Sequence, residues 1–276
     1  MRALEYWEEL RSGESDEVIL AVDGPPRAAC SPGFRDLAPL LDTPHAFWLA
    51  RPPAGQAPAT GPGDDDLGLS SYVEPWINEA HAGGLRVRAV LGHRVGGVFA
   101  GVIAEALADR QGCAAEVLLF DPELPDPGSV VDEFHDVVCG LSRPLSTDEL
   151  WSLEREVAVV VDACGDDTAA LSARLRALLT GVPGLGGQEL SLAALRLTAL
   201  MLAEPVDVVP LWSGRTALAS ASPDRGLSRT RSALLVPEAA FVHREILFAH
   251  DHTGFFTSEQ VARTTCDLLA LSGTAR

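Results

Sequence analysis

The chain has 276 residues, long for a small module and short for two full catalytic domains, so one domain with an insertion is expected. Hydrophobic residues make up 47%, enough for a large core and too many for a disordered chain. The net charge is −18, from 39 acidic residues against 21 basic ones that are all arginine, which argues against nucleic acid as a partner, since its phosphates call for basic clusters.

Taken in chain order, residues 3–11 read as a short amphipathic helix. The apolar run at 18–22 reads as a buried strand that Asp23-Gly24-Pro25-Pro26 turns into a loop. Residues 34–41 have a helical pattern and 46–50 that of a short strand. The proline- and glycine-rich stretch 52–66, closing in three aspartates, reads as a surface loop, and 72–83 as a helix.

The clearest unit follows: a strand over 85–91, the tight turn Gly92-His93-Arg94-Val95-Gly96-Gly97, and a helix over 98–108. A buried strand at 116–120 then ends in Asp121. Apolar strands alternating with helices imply a mostly parallel sheet covered on both faces, an α/β fold. Residues 126–204 break that rhythm with helical segments around 147–157, 166–180 and 188–203, which reads as a helical insertion over the sheet. Strands are expected again at 206–211 and 242–248, and a closing helix over 258–271, capped by Thr257 or Ser258.

The five cysteines, Cys30, Cys113, Cys139, Cys164 and Cys266, are widely spaced with no CxxC pair, so buried thiols are expected rather than disulfides or zinc. The first 17 residues lack the basic and apolar regions of a signal peptide, and no run approaches the roughly 18 apolar residues of a membrane span. A soluble, cytoplasmic protein with no membrane partner is expected. Without lysine there is no phosphate loop of the G-x-x-x-x-G-K-[ST] type, and the G-x-G-x-x-G fingerprint is missing too. No cofactor and no metal are expected.

The strand, Gly92-His93-Arg94-Val95-Gly96-Gly97 and the helix have the shape of a nucleophile elbow, G-x-S-x-G, with Arg94 at the position of the nucleophile. At these residues the sequence resembles the α/β-hydrolase fold, and more narrowly the type I and type II thioesterases of polyketide and nonribosomal peptide assembly lines. Pro25-Pro26-Arg27-Ala28-Ala29 followed by Phe34-Arg35-Asp36-Leu37-Ala38-Pro39-Leu40-Leu41 is similar to their PPAGG and FxxLAxxL segments. Asp121 stands where they place the triad acid, and Asp251-His252-Thr253-Gly254-Phe255-Phe256 is similar to the segment of the triad histidine. The resemblance covers nearly the whole chain and implies a single α/β-hydrolase domain over 1–276, with 126–204 as its helical lid.

The departures decide the chemistry to expect. A guanidinium stays protonated and cannot form an acyl-enzyme. Three readings of Arg94 stand side by side. It packs or pairs with an acid such as Asp121 in a protein that has lost activity. Alternatively, it offers a cationic fork to a substrate anion while His252, oriented by Asp121, acts as general acid and base. In the third, hydrolysis survives through a displaced nucleophile, with Cys30 as candidate.

The resemblance further implies that the amides of Val95 and of Arg27 would face an oxyanion. His93 is expected to face the interior or support the turn, and His250 could take the place of His252 if the register is two residues off. Arg215, Arg225, Arg229 and Arg231 form a solvated basic stretch or dock an acidic carrier protein.

The function these readings lead to is a diverged thioesterase-like enzyme of natural-product biosynthesis. It would act on a small acyl or polyketide-like compound by cyclisation, elimination or isomerisation, with an acyl or peptidyl carrier protein as a partner. The alternatives are a non-catalytic binding or scaffold protein and a type II thioesterase with a relocated nucleophile.

Overall fold

The structure, a computed structural model, describes residues 4–24, 32–52, 68–141, 143–183, 185–203, 207–223, 225–233 and 241–271. The chain begins with strands β1 (Trp7–Arg11) and β2 (Glu17–Asp23), a single helical turn α1 (Phe34–Leu37) and β3 (Ala46–Ala50). Helix α2 (Leu69–Ala82), β4 (Arg86–His93), α3 (Gly96–Gln111) and β5 (Glu116–Phe120) follow. The helices α4 (Pro127–Cys139), α5 (Thr147–Cys164), α6 (Thr168–Leu179) and α7 (Gly187–Ala203) come next, then α8 (Val209–Trp212) and β6 (Thr216–Ala219). The last elements are α9 (Gly226–Ala233), β7 (Arg244–Leu247), α10 (His252–Phe255) and α11 (Glu259–Leu271).

Among the described residues seven strands form one sheet in the order β1-β3-β2-β4-β5-β6-β7. Only β1 runs antiparallel to its neighbour; the other pairings are parallel. Strands β2 to β6 are largely buried on both faces, as a parallel sheet requires, while the edge strands β1 and β7 are partly exposed. Their side chains alternate accordingly: Leu20, Val22, Val117 and Leu119 join the core under α2 and α3. Ile19, Ala21, Leu91, Leu118 and Phe120 join the core with Phe34 of α1 and Val261 of α11.

The expected strands at 18–22, 46–50, 85–91, 116–120 and 242–248 and the helices at 72–83, 98–108 and 258–271 are present with small shifts of their ends. At 34–41 the helix is split into α1 and a 3₁₀ turn that carries Pro39. Of the two expected caps for α11, Ser258 is the one used: its Oγ accepts the Val261 amide at 3.4 Å.

Three expectations need correction. Residues 3–11 do not form a helix: Trp7–Arg11 is the edge strand β1, paired with β3, and Trp7 is buried against Trp76 with its Nε1–H donating to the Trp76 carbonyl. Pairing with the sheet edge overrides local pattern there. The strand expected at 206–211 is instead helix α8, because Pro210 has no amide to give an interior strand and is well placed in a first helical turn. The strand falls at β6. Helix α4 had no place in the helical segments expected within 126–204; Asp126 caps it by accepting the Ser129 amide at 2.6 Å.

The helical segment is tied down by ions as well as by apolar packing. Glu133 of α4 pairs with Arg196 of α7, both buried. Arg229 of α9 grips Asp126 with two hydrogen bonds, of 2.9 and 2.7 Å, and reaches Asp132 at 3.1 Å. Among the described residues no helix is long and apolar enough to cross a membrane.

Candidate active site

Asp23, His93, Arg94 and Asp121 lie at the carboxyl ends of β2, β4 and β5, where parallel α/β sheets place their sites. Strand β4 stops at His93 and helix α3 begins at Gly96, so the chain reverses within two residues. Arg94 takes a left-handed backbone conformation, φ +52, to make that turn. Gly92 and Gly96 permit it: a Cβ on Gly96 would lie 2.2 Å from the Val22 carbonyl oxygen, and one on Gly92 would lie 2.5 Å from the Gly97 Cα.

Asp121, which follows β5, is the other non-glycine residue with positive φ among those described, at +42. Such a conformation costs about 1–2 kcal/mol and persists where surrounding contacts fix it. Here they do. The Arg94 amide donates to the Phe120 carbonyl at 2.9 Å and the Asp121 amide to that of Leu218, also at 2.9 Å, so each extends its strand ladder by one bond.

Asp121 and His252 come together as expected. Oδ2 of Asp121 is 3.2 Å from Nδ1 of His252, and Oδ1 accepts the Ser220 amide at 2.6 Å. Burial alone would push the Asp121 carboxyl up, but the hydrogen bonds from His252 and Ser220 outweigh it and hold the group below the ordinary carboxylate range. It is therefore a fixed anion at neutral pH, and it orients the imidazole through Nδ1. His252 opens helix α10, whose N-cap Asp251 accepts the Gly254 amide at 2.8 Å. The His252 amide donates to Ser222 Oγ at 3.0 Å. His250 has a different partner, with Nε2 2.9 Å from Ser258 Oγ, so the histidine that meets the acid is His252.

Arg94 has a partner that the sequence did not single out. Its Nε donates to Oε1 of Glu123 at 2.6 Å and an Nη group adds a second contact to the same oxygen. Both side chains are buried, and Oε2 of Glu123 accepts the Gly226 amide at 3.2 Å. The expectation of a cationic fork presented to a substrate anion is corrected to this extent: the charge is already matched within the protein, by Glu123 and not by Asp121. The signal for Glu123 was its place two residues after Asp121, in the acidic segment that leaves β5.

The Val95 amide, the expected oxyanion donor, has no hydrogen-bond acceptor among the described residues, and the residue is buried. Arg27 and Cys30, with the rest of the 25–29 segment, lie outside the described residues.

His93 does face the interior, fully buried. Its Nδ1 is 3.2 Å from Oδ1 of Asp23, at the end of β2, a contact the sequence reading missed although Asp23 visibly closes an apolar strand. The basic stretch is half-buried and paired within the protein: Arg229 holds Asp126 and Asp132, Arg231 holds Glu245 at 2.8 Å, and Arg225 lies 3.7 Å from Asp132. Arg215 donates to the Leu211 carbonyl at 3.4 Å. Among the described residues no group of three histidine, cysteine or acidic side chains could hold a metal ion.

No protein-family model matches the sequence, and no curated protein does. Solved structures match over nearly the full chain. A nonribosomal peptide synthetase of four domains, bound to AMP and glycine, aligns with 95% of this chain at TM-score 0.54 and 13% identity, the match covering 20% of that larger protein. A protein assigned as a lipase, Lip1 of Acinetobacter baumannii AYE, aligns with 96% of this chain and 88% of its own, at TM-score 0.51 and 12% identity. The Vlm2 thioesterase domain bound with a dodecadepsipeptide aligns with 98% of this chain and 97% of its own, at TM-score 0.50 and 15% identity. At such identities the likeness is one of fold. The sheet order, the turn at Arg94 and the Asp121–His252 pair agree with it: the chain has the α/β-hydrolase fold, which it shares with thioesterase domains among others.

Proposed function

We propose that the protein is an enzyme of the thioesterase-like kind, acting on an acyl or peptide-like compound of natural-product biosynthesis without forming an acyl-enzyme. The single observation that carries this reading is the intact Asp121–His252 pair beside an elbow whose side chain has no nucleophilic atom. His252 serves as general acid and base through Nε2, Asp121 fixes its tautomer, and the Val95 amide stabilises negative charge that develops on the substrate. Such a set supports proton-transfer chemistry: cyclisation, elimination or isomerisation. The helices α4–α7 would act as its lid, and a carrier protein would deliver the substrate.

Arg94 enters this reading as the residue that fills the elbow, not as a catalytic residue. That observation also favours a second reading: a buried, charge-matched Arg94–Glu123 pair is what a binding protein without turnover would carry in place of a reactive side chain.

The test is a panel of acyl thioesters and their carrier-bound forms, with product analysis and intact-protein mass spectrometry. The enzyme reading expects product from the wild type, none from His252→Ala, and no protein adduct. An adduct that forms and turns over would restore a covalent hydrolase. Ligand binding without product, unchanged in His252→Ala, would establish the binding protein.

A further inference from the structure

Helix α5 is poorly covered for its length. Among the described residues of this 18-residue helix Val157 is the one that is buried, whereas Trp151 and Val159 are 67% and 69% exposed. Asp148, Trp151, Arg155, Val159 and Asp162 follow one another at steps of three or four, so they share a face. Beside that stripe two hollows, of about 410 and 370 Å³, lie along the seam between α5 and α6. Both are lined by Ser152, Glu156 and Leu178, which makes them one groove. Its floor is apolar: Leu145, Leu153, Val160 and Leu178 are partly buried and pack against the core.

We propose that this face docks an amphipathic helix of a partner protein whose polar side carries lysine or arginine. The apolar side chains of that helix fill the groove and rest on Trp151 and Val159. The groove shares no residue with the Asp121–His252 site, so the inference goes beyond the proposed function and is tested apart from it.

The choice of occupant rests on charge. Glu149 and Glu154 are held within the protein, by Arg143 at 2.9 Å and His135 at 3.3 Å. Asp148, Glu156 and Asp162 are exposed and make no ion pair among the described residues, so the face offers three acids against one base, Arg155. A second copy of the chain would bring the same acids against themselves, and nucleic acid or an anionic membrane would be repelled. A basic segment is attracted, the more so by a chain whose net charge is −18.

Shape points to a helix. From Glu149 to Val160 the groove follows α5 for about 16 Å, roughly three turns, which suits apolar anchors at i, i+3 or i+4, and i+7. Large apolar side chains exposed together beside a groove and rimmed by charge mark such a surface, whereas single scattered ones do not.

The probe is a fluorescently labelled peptide of leucine and lysine, about 14 residues long, whose leucines fall on one helical face. Its binding to the full-length protein is followed by fluorescence anisotropy. A scrambled peptide of the same composition, with no apolar face, should bind at least about tenfold more weakly, and a leucine–glutamate counterpart should not bind. Trp151→Ala, Val159→Ser and Glu156→Lys, all at exposed positions, should each weaken the amphipathic peptide about tenfold. Glu14→Lys, the same charge change on the exposed turn between β1 and β2, should leave it unchanged. No binding to the wild type, equal binding of the scrambled peptide, or an equal loss in Glu14→Lys would overturn the proposal. So would a wild-type dimer in sedimentation that Trp151→Ala turns into a monomer, since the face would then be covered by a second copy.

Discussion

Arg94 and Glu123 neutralise one another inside the protein, at a turn where Arg94 itself takes a left-handed conformation. The pair is closed on its other side by the Gly226 amide, so neither charge depends on solvent. Removing one partner strands the other. Arg94→Ser should therefore destabilise the fold by about 3–5 kcal/mol, although serine is the smaller residue and suits the turn no worse. Arg94→Ser combined with Glu123→Gln should recover much of that loss. Urea unfolding of the single and double variants measures both, and a single variant as stable as the wild type would show that the pair holds nothing together.

Gly226 is the second tight point. Its φ is +59, and a Cβ would come within 3.2 Å of the Asp121 Cα and 3.3 Å of its Oδ1. Gly226→Ala should cost about 1–2 kcal/mol from the backbone alone. It should also displace the Asp121 carboxylate and so alter the His252 imidazole resonances. A thermal melt and an NMR spectrum of the variant check the two effects separately.

Acid stability follows from the carboxylates. Burial would raise Asp126, but hydrogen bonds from Arg229 and Ser129 outweigh it and hold the group below its ordinary value; Asp121 is lowered in the same sense. Unfolded, each would titrate near about 3.9, so between the folded and unfolded values the unfolded chain binds more protons. Their stabilisation is thus fully present above about pH 5 and is lost as pH falls through the lower, folded values. Asp126→Asn should flatten the fall in urea midpoint measured from pH 6 to pH 3, leaving less to lose.

Trp212 of α8 is fully buried and donates from Nε1 to the Gly97 carbonyl at 3.1 Å, pinning α8 to the first turn of α3. Trp212→Phe removes that bond and leaves space beside Gly97, at a cost of about 1–3 kcal/mol in urea unfolding. The elbow should loosen with it, seen as faster amide exchange at 94–98.

The sheet was legible in the sequence because its strands are short apolar runs ended by sharp punctuation: Asp23-Gly24 after β2, the Gly92–Gly97 turn after β4, Asp121 after β5. The edge strand β1 was not, since the partner that makes Trp7 a strand residue arrives with β3. Position 210 illustrates the reverse: its proline already argued against a strand, and the apolar pattern around it outweighed that signal in the sequence reading. At the site, Asp121 and His252 could be named from their neighbours in sequence. The partners of Arg94 and His93 could not, because Glu123 and Asp23 become significant only where adjacent strands end side by side. Charge pairing also explains why the basic stretch misled: its acids, Asp126, Asp132 and Glu245, sit elsewhere in the chain.

The hydrogen bond from Ser220 to Asp121 spans 99 residues of chain, and the one from His252 spans 131. Glu123 receives the Gly226 amide over 103. All of these partners are synthesised after the helices α4–α7 have emerged, so during translation Asp121 waits as a bare carboxylate at the margin of a half-built sheet. Closing such long loops is slow, and folding rates fall as contacts become more distant in sequence. Assembly of the dyad is accordingly a late event, and a ribosome-stalled chain ending near residue 203 would carry the elbow and the acid but no histidine for the acid to hold.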